Sequence, residues 1–143
     1  MTIDQISVFL ENKPGRLAQI TDILNKNDID ISAISIADTT NFGIVRMIVN
    51  RPGLAIKAIR NAGFTVNTAQ VLAVEVPDSP GGLHYVLDIL NKENISIEYL
   101  YSFVRRPSQK ALILFRVGDI ERSIKTLTEM DINILTSDRI YEL

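Results

Sequence analysis

Cysteine is absent from this sequence of 143 residues, and histidine occurs once, at His84. Disulfides, thiolate zinc sites, iron–sulfur clusters, cysteine nucleophiles and multi-histidine metal sites are thereby excluded. Neither sign of charge is in large excess. Fifteen Lys and Arg against 17 Asp and Glu leave a net charge of -2, so no broad positive field exists to draw nucleic acid or anionic lipid. No apolar run approaches the ~20 residues of a membrane-spanning helix. Residues 1–10 carry Asp4 and lack a basic segment, so no secretory signal is expected there and a cytoplasmic location is the default. Common catalytic motifs are also missing: there is no Gly-x-Ser-x-Gly, no Gly-x-Gly-x-x-Gly and no phosphate loop. Scattered carboxylates do not make an acid–base pair. No catalytic residue, metal site or cofactor is expected.

What is present is a globular composition, 46% hydrophobic and 22% charged, and an internal repeat. Pro14-Gly15-Arg16-Leu17 returns as Pro80-Gly81-Gly82-Leu83, Asp22 to Lys26 as Asp88 to Lys92, and Ile29-x-Ile31 as Ile95-x-Ile97, all at an offset of 66. Ten of the 18 aligned pairs from Pro14/Pro80 to Ile31/Ile97 are identical, where unrelated sequence gives about one. Ile56-Lys57 matches Ile124-Lys125 at an offset of 68, which places a two-residue insertion in the second copy, in the loop around residues 105–110. A period this long marks a whole small domain duplicated in tandem. The expected division is 1–69 and 70–143, with almost no linker between.

Within one copy the periodicity changes in a fixed order. Ile6, Val8 and Leu10 alternate as in a strand. Leu17, Ile20, Ile23 and Leu24 form one helical face, repeated by Leu83, Val86, Leu87 and Leu90. Two β-branched strands follow, 29–37 and 44–49, separated by a turn at 38–41. A second helix starts at Pro52 and is closed by Gly63, before a short strand at 64–68. The second copy predicts strand 71–76, helix 82–93, strands 95–104 and 111–117, helix 120–130 and a strand from Ile132 onward. The fold class is α+β: two ferredoxin-like βαββαβ domains in tandem, each an antiparallel sheet with both helices on one face. The other face should be polar if it meets water, yet Val45, Met47 and Val49 alternate with Ile44, Arg46 and Ile48, and Ala111, Ile113, Phe115 and Val117 with Leu112 and Leu114, so both faces are largely apolar. Such a face needs a cover, from the other copy, from another chain, or from both.

The polar-x-Pro-Gly-x-Leu loop, present at Asn12 to Leu17 and again at Asp78 to Leu83, the helix that follows, the Ile-x-Ile strand and the βαββαβ order resemble the ACT domain family, once per copy. The resemblance implies a stand-alone tandem pair of small-ligand regulatory modules that bind an amino acid or similar effector at a domain interface and pass the signal to a partner. Carried over, it implies ligand contacts from Asn12, Gly15, Arg16 and Leu17 in the loop and from Asp30 and Ile31 at the opening of the second strand. Unpaired N–H groups at Gly15 and Arg16, at a helix N-terminus, suit a carboxylate, and Asp30 or the Asn12 oxygen an ammonium. Asp30 stands where a serine-type site carries Asn. The second-copy equivalents are Asp78, Gly81, Gly82, Leu83 and Ser96. Asp78 repels a carboxylate beside it, so this copy is expected to take a different ligand or none.

Plainer roles compete for these residues. Asn12 also suits a turn or a helix cap, Arg16 a solvated first turn, and Asp30 a surface position. His84, near Asp88 on a polar helix face, reads as solvated. Tyr99, Tyr101 and Phe103 read as cover for sheet surface, with ligand stacking as the competing role. Arg105 and Arg106, before Pro107, read as solvated.

Two functional classes follow. One is a non-catalytic amino-acid sensor, a homodimer or other homo-oligomer that modulates a metabolic enzyme or regulator. The other is a regulatory subunit or transcription-linked regulator acting mainly through protein contact, with little or no ligand binding. RNA-recognition domains share the element order, but neither 44–49 nor 111–117 carries their basic and aromatic signature. Neither nucleic acid nor membrane is an expected partner.

Overall fold

In a computed structural model the described residues are 1–38, 41–103 and 110–141. The chain forms β1 (Ile3–Glu11), α1 (Arg16–Lys26), β2 (Ile31–Asp38), β3 (Phe42–Val49), α2 (Pro52–Asn61), β4 (Thr65–Val76), α3 (Gly82–Lys92), β5 (Ile97–Ser102), β6 (Ala111–Val117), α4 (Ile120–Glu129), β7 (Ile134–Leu135) and α5 (Ser137–Tyr141). The expected α+β architecture is present, with the βαββ order in each copy. Two elements differ from the sequence reading. The strands predicted at 64–68 and 71–76 are one continuous strand, β4, so the expected boundary between residues 69 and 70 falls inside it. The strand predicted from Ile132 onward is only Ile134–Leu135, and the chain then turns into α5.

β4 unites the copies because its twelve residues stay extended from Thr65 to Val76, although Thr68 and Gln70 interrupt its apolar alternation. Its first part pairs with β1, from Val66 opposite Val8 to Val71 opposite Ile3. Its second part pairs with β6 on one side and with β7 on the other. The result is one seven-stranded antiparallel sheet in the order β2-β3-β1-β4-β6-β5, with β7 also on β4. The ladders preserve the repeat: Ile6 faces Met47 as Leu72 faces Phe115, and Ile34 faces Met47 as Leu100 faces Phe115. The offset thus passes from 66 to 68 between Ser102 and Ala111. Most of the loop at 105–110, with Arg105 and Arg106, lies outside the described residues, as does part of the turn at 38–41.

Three cores result. In the first, Ile20 and Leu24 of α1 and Ile59 of α2 pack on Ile6, Val8, Val45 and Met47. In the second, Val86 and Leu90 of α3 and Leu127 of α4 pack on Leu72, Val74 and Phe115. The third lies between the copies, on the faces that carry no helix from 16–26, 52–61, 82–92 or 120–129. It joins Ile3, Ile48 and Val71 to Tyr101, Phe103 and Leu114, and Ile140 of α5 packs into it. The inner faces are therefore covered within the chain around Ile3, Ile48 and Leu114, while Phe9 and Phe42 at their margin stay exposed. Ala33 beside Phe103 makes an isolated antiparallel bridge, so the sheet curls until its two ends meet.

The inner core also holds a polar cluster. Gln5, 0% exposed, donates from Nε2 to the Tyr99 hydroxyl at 2.7 Å and accepts the Tyr101 hydroxyl at Oε1 at 2.7 Å. The Arg46 guanidinium lies 3.8 Å from the centre of the Tyr99 ring, a cation–π contact across the copies. Tyr99 and Tyr101 thus cover sheet surface, as their alternation predicts. Burial pushes the Tyr101 hydroxyl well above the usual tyrosine range, and the neighbouring Tyr99 adds to the shift. A raised folded-state pKa contributes stability that is fully present below the unfolded value, about 10, and is lost as pH rises beyond it. Stability is expected to fall by about 1.4 kcal/mol per pH unit above that point on account of this group. Urea unfolding followed between pH 8 and pH 11 checks it, and a Tyr101→Phe chain should show a shallower decline.

Candidate functional site

The two Pro-Gly loops are built alike. Gly15 and Gly81 sit at φ 88 and 86, the left-handed region, and each is the N-cap of its helix without a side-chain cap. Any other residue there is strained, which accounts for the recurring glycine. Asn12 is therefore not a helix cap. It is exposed, and its N–H donates to the Asn41 carbonyl at 3.0 Å, tying the loop to the start of β3. The Arg16 N–H is not unpaired, as the sequence reading expects, but donates to the Lys13 carbonyl at 3.3 Å. The Gly82 N–H likewise donates to the Ser79 carbonyl at 3.0 Å.

The candidate residues do not converge on one pocket within the chain. Arg16 lines a pocket of about 430 Å³ together with Phe9, Leu10, Glu11, Gln19, Phe42 and Phe64. Asp30 lines a second pocket with Asn25, Asp28, Asn50 and Arg51. They lie toward opposite ends of α1, the first lined by Gln19 and the second by Asn25, six residues or about 9 Å apart along the helix at 1.5 Å per residue. Leu17 and Ile31 turn inward and pack on the first helix-facing core, and Leu83 does the same in the second copy. The Asp30 N–H donates to the Asn50 side-chain oxygen at 3.0 Å, and its carbonyl accepts from the Asn50 N–H. Ser96 is exposed, and its carbonyl accepts from the Gly118 N–H at 3.0 Å. Asp78 is exposed, whereas Gly82 is buried under the Pro77 carbonyl. His84 is exposed.

Around Arg16 the pocket mixes charged and apolar lining. Arg16 donates to Gln19 at 3.3 Å and Glu11 pairs with Lys13 at 2.8 Å. The Lys13 hydrogen bond and then its charge hold the Glu11 carboxyl below the usual carboxylate range, with Arg16 adding to the effect, so Glu11 is ionised near neutral pH. Beside Glu11 on the same strand face, Phe9 and Phe42 are 41% and 60% exposed, although both are large and apolar. Sequence reasoning missed Phe9, Glu11, Phe42 and Phe64. They arrive from β1, β3 and the turn after α2, and only the folded sheet brings them together. The available signal was Phe9, which interrupts the Ile6, Val8, Leu10 row from the other face of β1. Among the described residues, no cluster of three or more His, Asp or Glu could hold a metal ion. None of the described helices is long and apolar enough to cross a membrane.

A family profile described as an ACT domain pair matches residues 1–143. The chain belongs to the ACT domain pair family. Among solved structures, this ACT domain pair is similar to protein BT0572 from Bacteroides thetaiotaomicron, with 38% identity over 100% of this chain and 98% of that one and a TM-score of 0.94. The ligand-free regulatory subunit of aspartate kinase from Thermus thermophilus matches with 14% identity, covering 88% of this ACT pair and 91% of that chain, with a TM-score of 0.64. Aspartokinase III of E. coli, in complex with aspartate and ADP, matches with 14% identity over 90% of this chain and 31% of its own, with a TM-score of 0.60. At such identities the aspartokinase likenesses show the ACT fold alone. No relative among curated protein sequences matches this ACT pair.

Proposed function

We propose that the chain is a non-catalytic regulatory module that binds a small amino acid and modulates a partner, a metabolic enzyme or a regulator, as a homo-oligomer in the cytoplasm. The observation that carries this reading is the Arg16 pocket, where a guanidinium and an ionised carboxylate stand beside one cavity. A zwitterion places its carboxylate on the first and its ammonium toward the second. The volume of about 430 Å³ falls within the roughly 300–1,000 Å³ of small-ligand pockets. Membership in the ACT domain pair family supports the reading. Signalling would pass through contact with a partner.

A thermal-shift screen of the twenty amino acids, followed by calorimetry, tests it. At a hundredfold excess over its dissociation constant the effector is expected to add about 2.7 kcal/mol of stability, equivalent to roughly 10 °C in Tm for a chain of this size. No response to any amino acid would refute the sensor. The 60% exposure of Phe42 favours a second reading, protein contact with little ligand binding. Under it, pull-down from native extract recovers a stoichiometric partner while the screen stays silent.

A further inference from the structure

The duplication supplies an internal control for the Arg16 pocket. Strand register aligns Phe9 with Glu75, because Phe9 pairs with Ile44 as Glu75 pairs with Leu112. The same offsets align Glu11 with Pro77, Arg16 with Gly82 and Phe42 with Lys110. Every one of these changes removes the chemistry of the first pocket. The guanidinium becomes a glycine, and that glycine is buried against the Pro77 carbonyl. The position of the acceptor carboxylate becomes a proline. The two phenylalanines become an ion pair, with Lys110 Nζ 3.9 Å from Glu75 Oε2. The frame is the same, as the left-handed glycines and the ladders show, but the lining is not. Both copies keep the loop, but only the first sets an arginine, a glutamate and two phenylalanines beside it.

The lining also constrains what enters. Phe64 packs partly on the first helix-facing core, so a headgroup seated between Glu11 and Arg16 leaves its side chain to meet the Phe9 and Phe42 rings, 41% and 60% exposed. Glycine, serine or aspartate would leave those rings in water or set a polar group against them, whereas an aromatic or long aliphatic side chain covers them. We propose, resting on the amino-acid reading above, that the chain binds one effector per chain, at the first copy only, and that this effector is an amino acid with a large apolar side chain.

Calorimetric titration of the full chain with L-phenylalanine, L-leucine, L-serine and L-aspartate tests it. Phenylalanine or leucine is expected to bind with one equivalent per chain and at least about tenfold more tightly than serine or aspartate. Phe42→Lys, which writes the second copy's residue into the first, is expected to weaken the apolar ligand by about tenfold or more while its unliganded melting temperature stays near that of the parent. Arg16→Gln should weaken every amino acid that binds. Tighter binding of serine or aspartate, two equivalents per chain, or an unchanged affinity in the Phe42→Lys chain overturns this inference and leaves the sensor standing. Silence from all twenty amino acids overturns both.

Discussion

Gly82→Ala is expected to destabilise the folded chain by about 3 kcal/mol and to lower its Tm by roughly 10 °C. A Cβ at this position would stand 1.9 Å from the Pro77 carbonyl oxygen and 2.9 Å from its carbon. These are backbone atoms and cannot rotate away as a side-chain tip can. Moving them means shifting the loop whose Ser79 carbonyl accepts the Gly82 N–H. Gly53→Ala is the matched control, because Gly53 lies in α2 and nothing is within 4 Å of its added Cβ. That change is expected to be neutral or slightly stabilising, since alanine favours helix over glycine by up to about 1 kcal/mol. Thermal unfolding of both variants decides the matter. A Gly82→Ala chain that melts within a degree or two of the parent would show that the loop does not hold Pro77 over the helix.

Gln5→Ala is expected to cost about 3 kcal/mol as well, for a different reason. Gln5 has no exposed surface, and its amide joins the Tyr99 and Tyr101 hydroxyls, one by donating and one by accepting. Truncation leaves the buried Tyr101 hydroxyl without its acceptor, a penalty of about 1–3 kcal/mol, and adds a cavity between the copies. Tyr99→Phe removes one hydrogen bond and keeps the ring against Arg46, so a loss near 1 kcal/mol is expected. Urea denaturation measures both. If Gln5→Ala and Tyr101→Phe were each costly and strictly additive, Gln5 and Tyr101 would not be coupled.

The elements were legible where periodicity and turn chemistry agreed. Helix α1 and its repeat α3 follow from the spacing of Ile20 and Leu24, and of Val86 and Leu90, after a Pro-Gly turn. The second apolar sheet face was legible too, because Ile48 and Leu114 lie opposite Met47 and Phe115 in the alternation. What covers that face was left open by the sequence, since the fused β4 and the packing of Ile140 depend on contacts distant along the chain. The helix α5 was missed because Ile132, Ile134 and Leu135 continue a strand pattern that breaks off only at Thr136. At the site, Arg16 was found through its loop. Phe42 and Phe64 were not, because each is an ordinary apolar residue until β1, β3 and the turn after α2 are set side by side. Asp30 was grouped with Arg16 by resemblance, and the length of α1 keeps the two apart within the chain.

The continuity of β4 limits how the two copies can move against each other. Two modules on a flexible tether respond by swinging about the tether. Here twelve residues run unbroken from Thr65, which borders the Arg16 pocket, to Val76, which enters the second loop. At about 3.3 Å per residue the strand is a beam roughly 40 Å long, clamped by β1 over its first part and by β6 and β7 over its second. A hinge anywhere along it would break ladder hydrogen bonds on at least one side. Motion between the copies is thereby confined to a change in the beam's twist or a repacking of the inner core. A distortion at Thr65 is passed to Val76 along one covalent backbone.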